Sequence, residues 1–403
     1  MYLYPITRNL IFASTIIFAS ILLFVLVFPN YIISHTIEIV PQGFEKNKFS
    51  IWFLPLLISN AIFFTFLIGH KFGKLPNKIT FITDTFQKKD ISRNLTFFLI
   101  SIIFVFYIIF SAGEFYSEEF EFGDYKGVIT TAQNWETQFE SSKITPALRY
   151  LFLFVSLEYL GNIRFLPYLA SIGLLLLTYF ITKEISGKRI SGLISFVTLL
   201  QSNLFLMYDT TSTYENFWVF FYLLSLYMMI KNSSTSSLSF VVTLFLKPLT
   251  VIFLPVNIFW IIMDQKIKNK KRILFGFSVI ISLIIIALTT TNFVHVESVG
   301  FNIEQIVLSF NEIGNSLRFD ILLLIILIPV IVLLYLQSKN YDSRKIYILF
   351  AIFISLISQS MLYGITDTTV QPYRFIPFVL FMSIGFGLVF SWDQTSNRIK
   401  SNM

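Results

Sequence analysis

A polar segment at residues 113–145 interrupts an otherwise apolar chain and concentrates side chains suited to chemistry. Seven carboxylates lie in it against two lysines: Glu114, Glu118, Glu119, Glu121, Asp124, Glu136 and Glu140, with Lys126 and Lys143. Carboxylates at or near a bilayer are costly to hold in a low dielectric, so they are usually retained for function. The segment therefore predicts an active site or an ion site.

Further polar residues are expected to lie on the same membrane face as this segment. They are Arg149 in a Pro-led helix, Tyr214 and Glu215 in a short turn, Lys247 in a broken helix, and Arg374 at the entrance of a late span. A carboxylate opposite several cations suits transfer of a group from a lipid-linked phosphate. The carboxylate would accept a proton from the acceptor hydroxyl, and the cations would stabilise the phosphate. The same residue types could instead couple ion movement to transport.

The composition identifies an all-α membrane protein that needs long helices to position these residues. The 403 residues are 55% hydrophobic and 13% charged, whereas soluble domains have about 25% charged residues. The absence of cysteine excludes disulfides, thiolate metal sites and cysteine nucleophiles. The net charge of +7 is not a nucleic-acid signature, since the cations cluster at the ends of apolar spans.

The distribution of cations predicts the topology. Clusters at 71–93, 183–189, 266–272, 339–345 and 398–400 alternate with cation-poor loops at 29–50, 113–145, 210–214, 292–320 and 364–374. Cation-rich loops face the cytoplasm. Both termini are thus expected in the cytoplasm of a multi-pass cell-membrane protein, with the acidic loop 113–145 outside. We expect about eleven spans plus one broken pair, or about 11–13 helices in total.

Two segments are expected to depart from simple spans. Residues 238–263 have cations on both flanks, so both ends are expected in the cytoplasm and a single span would break the alternation of loops. Two short helices that meet at Lys247-Pro248 would restore it. Residues 146–161 are short and contain Arg149 and Glu158, which favours a juxtamembrane helix on the outer surface.

Ordered motifs give the chain a resemblance to a known family. An Asp-aromatic loop is followed by the Pro-led helix, by Arg-Phe-Leu-Pro-Tyr-Leu at 164–169, and by Gly-Lys-Arg-Ile-Ser-Gly at 187–192. Thr-Tyr-Glu-Asn at 213–216, Lys-Pro-Leu-Thr-Val-Ile-Phe-Leu-Pro at 247–255 and Tyr-Arg-Phe-Ile-Pro at 373–377 complete the set. Over about residues 95–392 the chain resembles the GT-C superfamily of integral-membrane glycosyltransferases, in its mannosyltransferase-like branch. Residues 1–94 would then form a separate two-span hairpin of unknown role before a GT-C-like domain at 95–403.

The resemblance implies a glycosyltransferase that moves a sugar from a polyprenyl-phosphate donor to a lipid-linked or protein acceptor, with inversion. It assigns Asp124 as the catalytic base and Glu121 as a second carboxylate. It assigns Lys247 and Arg374 to the donor phosphate, and Arg149 of the Pro-led helix is a further candidate for that role. Glu215 matches an acidic position in the short outer turn, and the adjacent Tyr214 is a further candidate site residue.

Alternatives remain open at this point. Asp124 could be an ordinary turn residue, with the Glu118 and Glu119 pair supplying the base. Lys247 could pair with a carboxylate of a neighbouring helix, while Arg149 and Arg374 could extend to lipid headgroups. A divalent metal is neither indicated nor excluded by carboxylates alone. The chain could also be a transporter or flippase, or a non-catalytic subunit of a membrane complex.

Overall fold

The computed structural model describes residues 3–29, 49–72, 74, 90–116, 125–136, 147–212, 215–290, 320–340, 344–365 and 372–391, with isolated residues between 306 and 318. Helices make up nearly all of this part of the chain, and no strand occurs within it. The expected all-α class is confirmed for the described residues. Asp124, Glu121, Tyr214, Glu118 and Glu119 lie outside the described residues.

The chain forms two compact units that interleave in sequence. Unit 1 comprises residues 1–91, 185–204 and 296–403, and unit 2 comprises residues 92–184 and 205–295. The separate hairpin expected at 1–94 and the domain at 95–403 follow the family resemblance and stay a prediction.

Unit 1 is built mainly from long apolar helices. They are α1 (Leu3–Val27), α2 (Phe53–Lys71), α7 (Arg189–Leu200), α8 (Asn203–Tyr208, which begins in this unit), α13 (Ile321–Asn340), α14 (Lys345–Ile365) and α15 (Ile376–Val389), with a 3-10 helix at Pro372–Phe375. Helix α15 packs against α7, α13 and α14, and nearly all of its side chains are buried. It is therefore the centre of this unit.

Unit 2 contains the elements that carry most of the candidate site. They are α3 (Arg93–Ala112), a 3-10 helix at Gly113–Tyr116, α4 (Tyr125–Gln133), α5 (Ala147–Leu160), α6 (Phe165–Ser186), α9 (Glu215–Ile230), α10 (Ser236–Leu246), a 3-10 helix at Pro248–Phe253, α11 (Leu254–Met263) and α12 (Lys270–Thr290). Helix α5 spans most of the predicted juxtamembrane helix at 146–161, so a helix at that position is confirmed.

Five of the described helices are long and apolar enough to cross a bilayer: Pro5–Val27, Arg93–Phe115, Phe165–Ser186, Ile321–Lys339 and Pro372–Val389. Their exposed apolar side chains are what a lipid environment requires, because lipid tails are as apolar as leucine. On α3, for example, Phe97 and Phe110 are 73% and 79% exposed. Shorter apolar helices accompany these five.

Helix α10 runs antiparallel to α9 along the whole of its length. The Ser225 hydroxyl donates to the carbonyl of Ser236 at 2.7 Å, and the Ser239 hydroxyl donates to the carbonyl of Phe221 at 2.7 Å. The next contact in this register joins Lys247 to Glu215. The C-terminal end of α10 therefore lies beside the first residue of α9.

The chain then turns back after Lys247. At the far side of α11, the amide of Lys268 donates to the Asn232 side-chain carbonyl at 2.6 Å, and Asn269 donates to the Asn232 backbone carbonyl at 3.2 Å. Segment 236–268 consequently leaves the Asn232 end of unit 2, reaches the Glu215 end and returns. The predicted break is confirmed, since two helical segments meet at Lys247-Pro248 and form a hairpin with Lys247 at its tip.

Candidate functional site

The break in the hairpin follows from the dipeptide Lys247-Pro248. Proline lacks an amide hydrogen and disfavours helical geometry in the residue before it. Lys247 accordingly adopts an extended conformation, with φ −154° and ψ 102°, while Pro248 begins a 3-10 helix. Lys247 therefore lies between two helical segments and is part of neither.

Lys247, whose side chain is 13% exposed, forms an ion pair with Glu215. The ammonium donates to one carboxylate oxygen of Glu215, whose side chain is fully buried, and the indole N–H of Trp218 donates to the other oxygen. The Lys247 nitrogen also lies 5.6 Å from the centre of the Trp218 ring, within reach of a cation–π attraction. Two of the predicted site residues are thus in contact, so the pairing of Lys247 with a carboxylate of a neighbouring helix, one of the alternatives from the sequence, is present.

A second buried carboxylate, Asp209, lies in the turn just before α9. The hydroxyl of Tyr107 donates to Oδ2 of Asp209 at 2.6 Å. Oδ1 has no hydrogen-bond partner among the residues that the structure describes, although Asp209 is only 1% exposed. A buried acceptor atom of this kind is a candidate to receive a proton or to bind a polar group.

The environment of Asp209 favours its neutral form. Burial is the largest effect and raises the pKa of Asp209 to about 7, with a further increase from the nearby charge of Glu114 and an opposing decrease from the hydrogen bond of Tyr107. A carboxyl group with a pKa close to neutral can exchange protons efficiently at physiological pH.

Buried hydrogen bonds connect the Asp209 turn with the start of α9. The Ser171 hydroxyl donates to the Asp209 backbone carbonyl at 2.8 Å. The side-chain amide of Asn216 donates to the Ser171 hydroxyl and to the carbonyl of Tyr208, both at 2.9 Å. Since Asn216 directly follows Glu215, the two buried carboxylates belong to one polar cluster at the Glu215 end of unit 2.

Glu114, the first carboxylate of the acidic segment, joins this cluster. Its Oε2 accepts a hydrogen bond from the Thr210 hydroxyl at 2.6 Å. The guanidinium of Arg164, only 4% exposed, donates to the backbone carbonyl of Glu114. Arg164 therefore fixes the chain where the acidic segment begins.

Arg149 and Arg374, the other predicted phosphate ligands, lie in different units. In unit 2, Arg149 on α5 donates to the Tyr150 hydroxyl at 2.7 Å, with its guanidinium 4.4 Å from that ring's centre. In unit 1, the guanidinium of Arg374 lies 6.0 Å from the centre of the Tyr373 ring. Each arginine is half-buried, and their proposed role in binding phosphate stays a prediction.

The residues missed by sequence reasoning are Asp209 and its partners Tyr107, Thr210 and Ser171. One signal was present, since the polar run at 209–216 separates two apolar helices. Tyr107 and Ser171 gave none, because each is a single polar residue within an apolar span.

The side chains described here do not include a metal site of the usual kind. Among the described residues, no group of three or more His, Asp or Glu side chains could hold a metal ion. The cluster combines a buried carboxyl group whose pKa is raised, Asp209, with the ammonium–carboxylate pair of Lys247 and Glu215.

Comparisons with known proteins identify no relative of this chain: no family model, no curated protein and no solved structure matches it.

Proposed function

We propose that the chain is a membrane glycosyltransferase that moves a sugar from a polyprenyl-phosphate donor to a lipid-linked or protein acceptor. The observation that supports this proposal is the polar cluster of unit 2, in which Asp209, Glu215 and Lys247 lie at one end of the helices. A proton acceptor and a cation at a membrane boundary are the two groups that such a transfer requires.

In the proposed reaction, the acceptor oxygen forms a bond to the anomeric carbon as the bond from that carbon to the phosphate breaks. The acceptor proton passes to a carboxylate, and the phosphate leaves with the bonding electrons. A single displacement of this kind inverts the anomeric centre. Asp124 is the base that the resemblance favours, and Asp209 is the carboxyl group that the described cluster supplies.

Lys247 would hold the donor phosphate in this proposal. Glu215 orients the Lys247 ammonium at the tip of the hairpin. A bound phosphate would share the ammonium with Glu215, because lysine has three donors. Arg149, in the same unit, is a further cation proposed for this phosphate, and Arg374 is the alternative that the resemblance implies.

The test is transfer from a radiolabelled polyprenyl-phosphate sugar by the purified chain in lipid. Wild type is compared with Asp124→Asn, Asp209→Asn and Glu158→Gln, the last being a control on an exposed carboxylate. The proposal expects the rate of sugar transfer to fall at least about a hundredfold in either Asp124→Asn or Asp209→Asn, according to which carboxylate is the base. It expects no change for Glu158→Gln. No transfer by wild type from any tested donor contradicts it.

Transport of a lipid-linked or small solute is a second candidate, and the hairpin is the observation that favours it. Helices that break at membrane depth line the substrate sites of several transporter folds. In sealed proteoliposomes, movement of a fluorescent lipid-linked sugar between leaflets without any new glycosidic bond would support transport. It would contradict the transferase.

A further inference from the structure

A row of buried polar side chains runs along the returning arm of the hairpin, away from the site already described. Thr250, Asn257 and Asp264 recur at a spacing of seven residues and are 1%, 0% and 4% exposed. In a 3-10 helix residues three apart share a face, and in an α-helix residues seven apart share one. All three therefore lie on one face of the arm.

That face is turned toward α9. Phe253 lies between Thr250 and Asn257 in the row, and its ring centre is 5.1 Å from that of Tyr222 and 5.7 Å from that of Trp218. The row begins three residues after Lys247. It ends at Asp264, whose carboxylate accepts from the Trp260 indole at 3.1 Å. It thus extends from the Glu215 end of unit 2 to the Asn232 end.

Asn257 is the residue that calls for a ligand. Its side chain is completely buried, and neither its amide nitrogen nor its amide oxygen has a hydrogen-bond partner among the described residues. The Thr250 hydroxyl oxygen is likewise buried and unpartnered within that part of the chain. An unsatisfied buried amide or hydroxyl costs about 1–3 kcal/mol, so native proteins rarely retain one without a bound water.

We infer that Asn257 and Thr250 bind water inside unit 2, and that this water forms a hydrated path along the hairpin toward Lys247. The ligand follows from the chemistry, because one amide that donates and accepts and one hydroxyl offer several hydrogen bonds and no charge. Ordered water needs such polar partners, whereas the aromatic rings between the polar residues exclude larger solutes. Neighbouring polar residues of the row are about 10 Å apart along the helix axis, a gap that a few water molecules bridge.

Such a path would give the Glu215–Lys247 pair access to solvent protons from the Asn232 end. The inference does not depend on the proposed transferase reaction, since it concerns hydration of the protein interior. A protein with no enzymatic activity would show the same hydration.

The test uses the absence of native cysteine, so that one introduced thiol gives a single S–H infrared band. Full-length Asn257→Cys and Val256→Cys are reconstituted in lipid and transferred to heavy water, and the decay of each band is followed. Val256 is the matched control because it is the adjacent residue, is equally buried and is apolar. The probe is water itself, so the width of the path does not limit the measurement.

We expect the thiol at position 257 to exchange at least about tenfold faster than that at position 256, equivalent to about 1.4 kcal/mol. Equal rates, whether fast or slow, would overturn the inference. Thermal unfolding of each variant verifies folding. If Asn257→Cys does not fold, Thr250→Cys replaces it, with the same expectation against Val256→Cys.

Discussion

Lys247 donates to the carboxylate of Glu215 across two helices, with the lysine in the break of a hairpin and the glutamate at the first position of the facing helix. The carboxylate is completely buried and also accepts from Trp218. Charges removed from water in this way depend on each other, because either one alone would have to be buried without compensation.

Replacing Lys247 with methionine should therefore destabilise the protein strongly. We expect Lys247→Met to lower the free energy of unfolding by about 3–5 kcal/mol, the usual effect of leaving a buried charge unpaired. The double variant Glu215→Gln, Lys247→Met should lose less, because it removes both charges. Denaturant unfolding in a fixed detergent measures each value.

Lys231 provides the matched control for that experiment. It pairs with Glu184 at 2.7 Å in the same unit, but the two side chains are 45% and 27% exposed. Solvent screens such pairs, so Lys231→Met should cost less than about 1 kcal/mol. Equal losses for Lys247→Met and Lys231→Met would show that burial of the first pair has no energetic consequence.

The buried carboxyl of Asp209 should make stability depend on pH. Its pKa rises from 3.8 to about 7 on folding, so between these values the folded protein binds more protons than the unfolded chain. The free energy of unfolding should consequently fall as the pH rises from about 4 to about 7 and change no further above that range. In Asp209→Asn, this contribution to the decrease in the free energy of unfolding should be absent. Denaturant unfolding measured at several pH values would detect the difference. Glu158→Gln should keep the wild-type profile.

Removing the hydroxyl of Tyr107 should move the Asp209 transition upward. This hydroxyl donates to Asp209 at 2.6 Å and opposes the effect of burial, because it stabilises the charged carboxylate. We expect Tyr107→Phe to shift the midpoint above pH 7, as followed by the infrared carbonyl band of the protonated acid. Tyr159→Phe, at an exposed tyrosine, should leave it unchanged. A downward shift in Tyr107→Phe would contradict the assigned role.

The hairpin predicts a specific labelling pattern in sealed vesicles. Single cysteines at Thr235 and Asn269, which flank the hairpin and are exposed, should react with a membrane-impermeant thiol reagent from the same side. A cysteine at Tyr159, near the opposite end of unit 2, should react from the other side. If residues 236–263 instead crossed the bilayer once, Thr235→Cys and Asn269→Cys would be labelled from opposite sides.

The sequence allowed much of this architecture to be predicted, because apolar length and proline position act locally. The broken hairpin followed from Lys247-Pro248 and from the cations on both flanks, and a helix at 146–161 from its short apolar run. Both features depend on the geometry of a single helix, which is determined by one continuous stretch of sequence.

The Asp209 cluster could not be predicted in the same way. It depends on how α3 and α6 are aligned with each other and with the turn before α9. Tyr107 on α3 and Ser171 on α6 contact Asp209 in that turn, which lies about forty to one hundred residues away in sequence. No local periodicity encodes that alignment. Lys247 and Glu215 were both identified as candidates, yet their direct contact emerges only from the antiparallel packing of α9 and α10.

The order of the ion pair along the chain has a consequence for biosynthesis. Glu215 and α9 precede the hairpin, so the acidic partner is synthesised before Lys247 leaves the ribosome. Helix α10, with 11 residues, is about 16 Å long and too short to insert as an independent span. The earlier helix α9 thus presents the counter-charge of Lys247 before the hairpin that contains this lysine is complete.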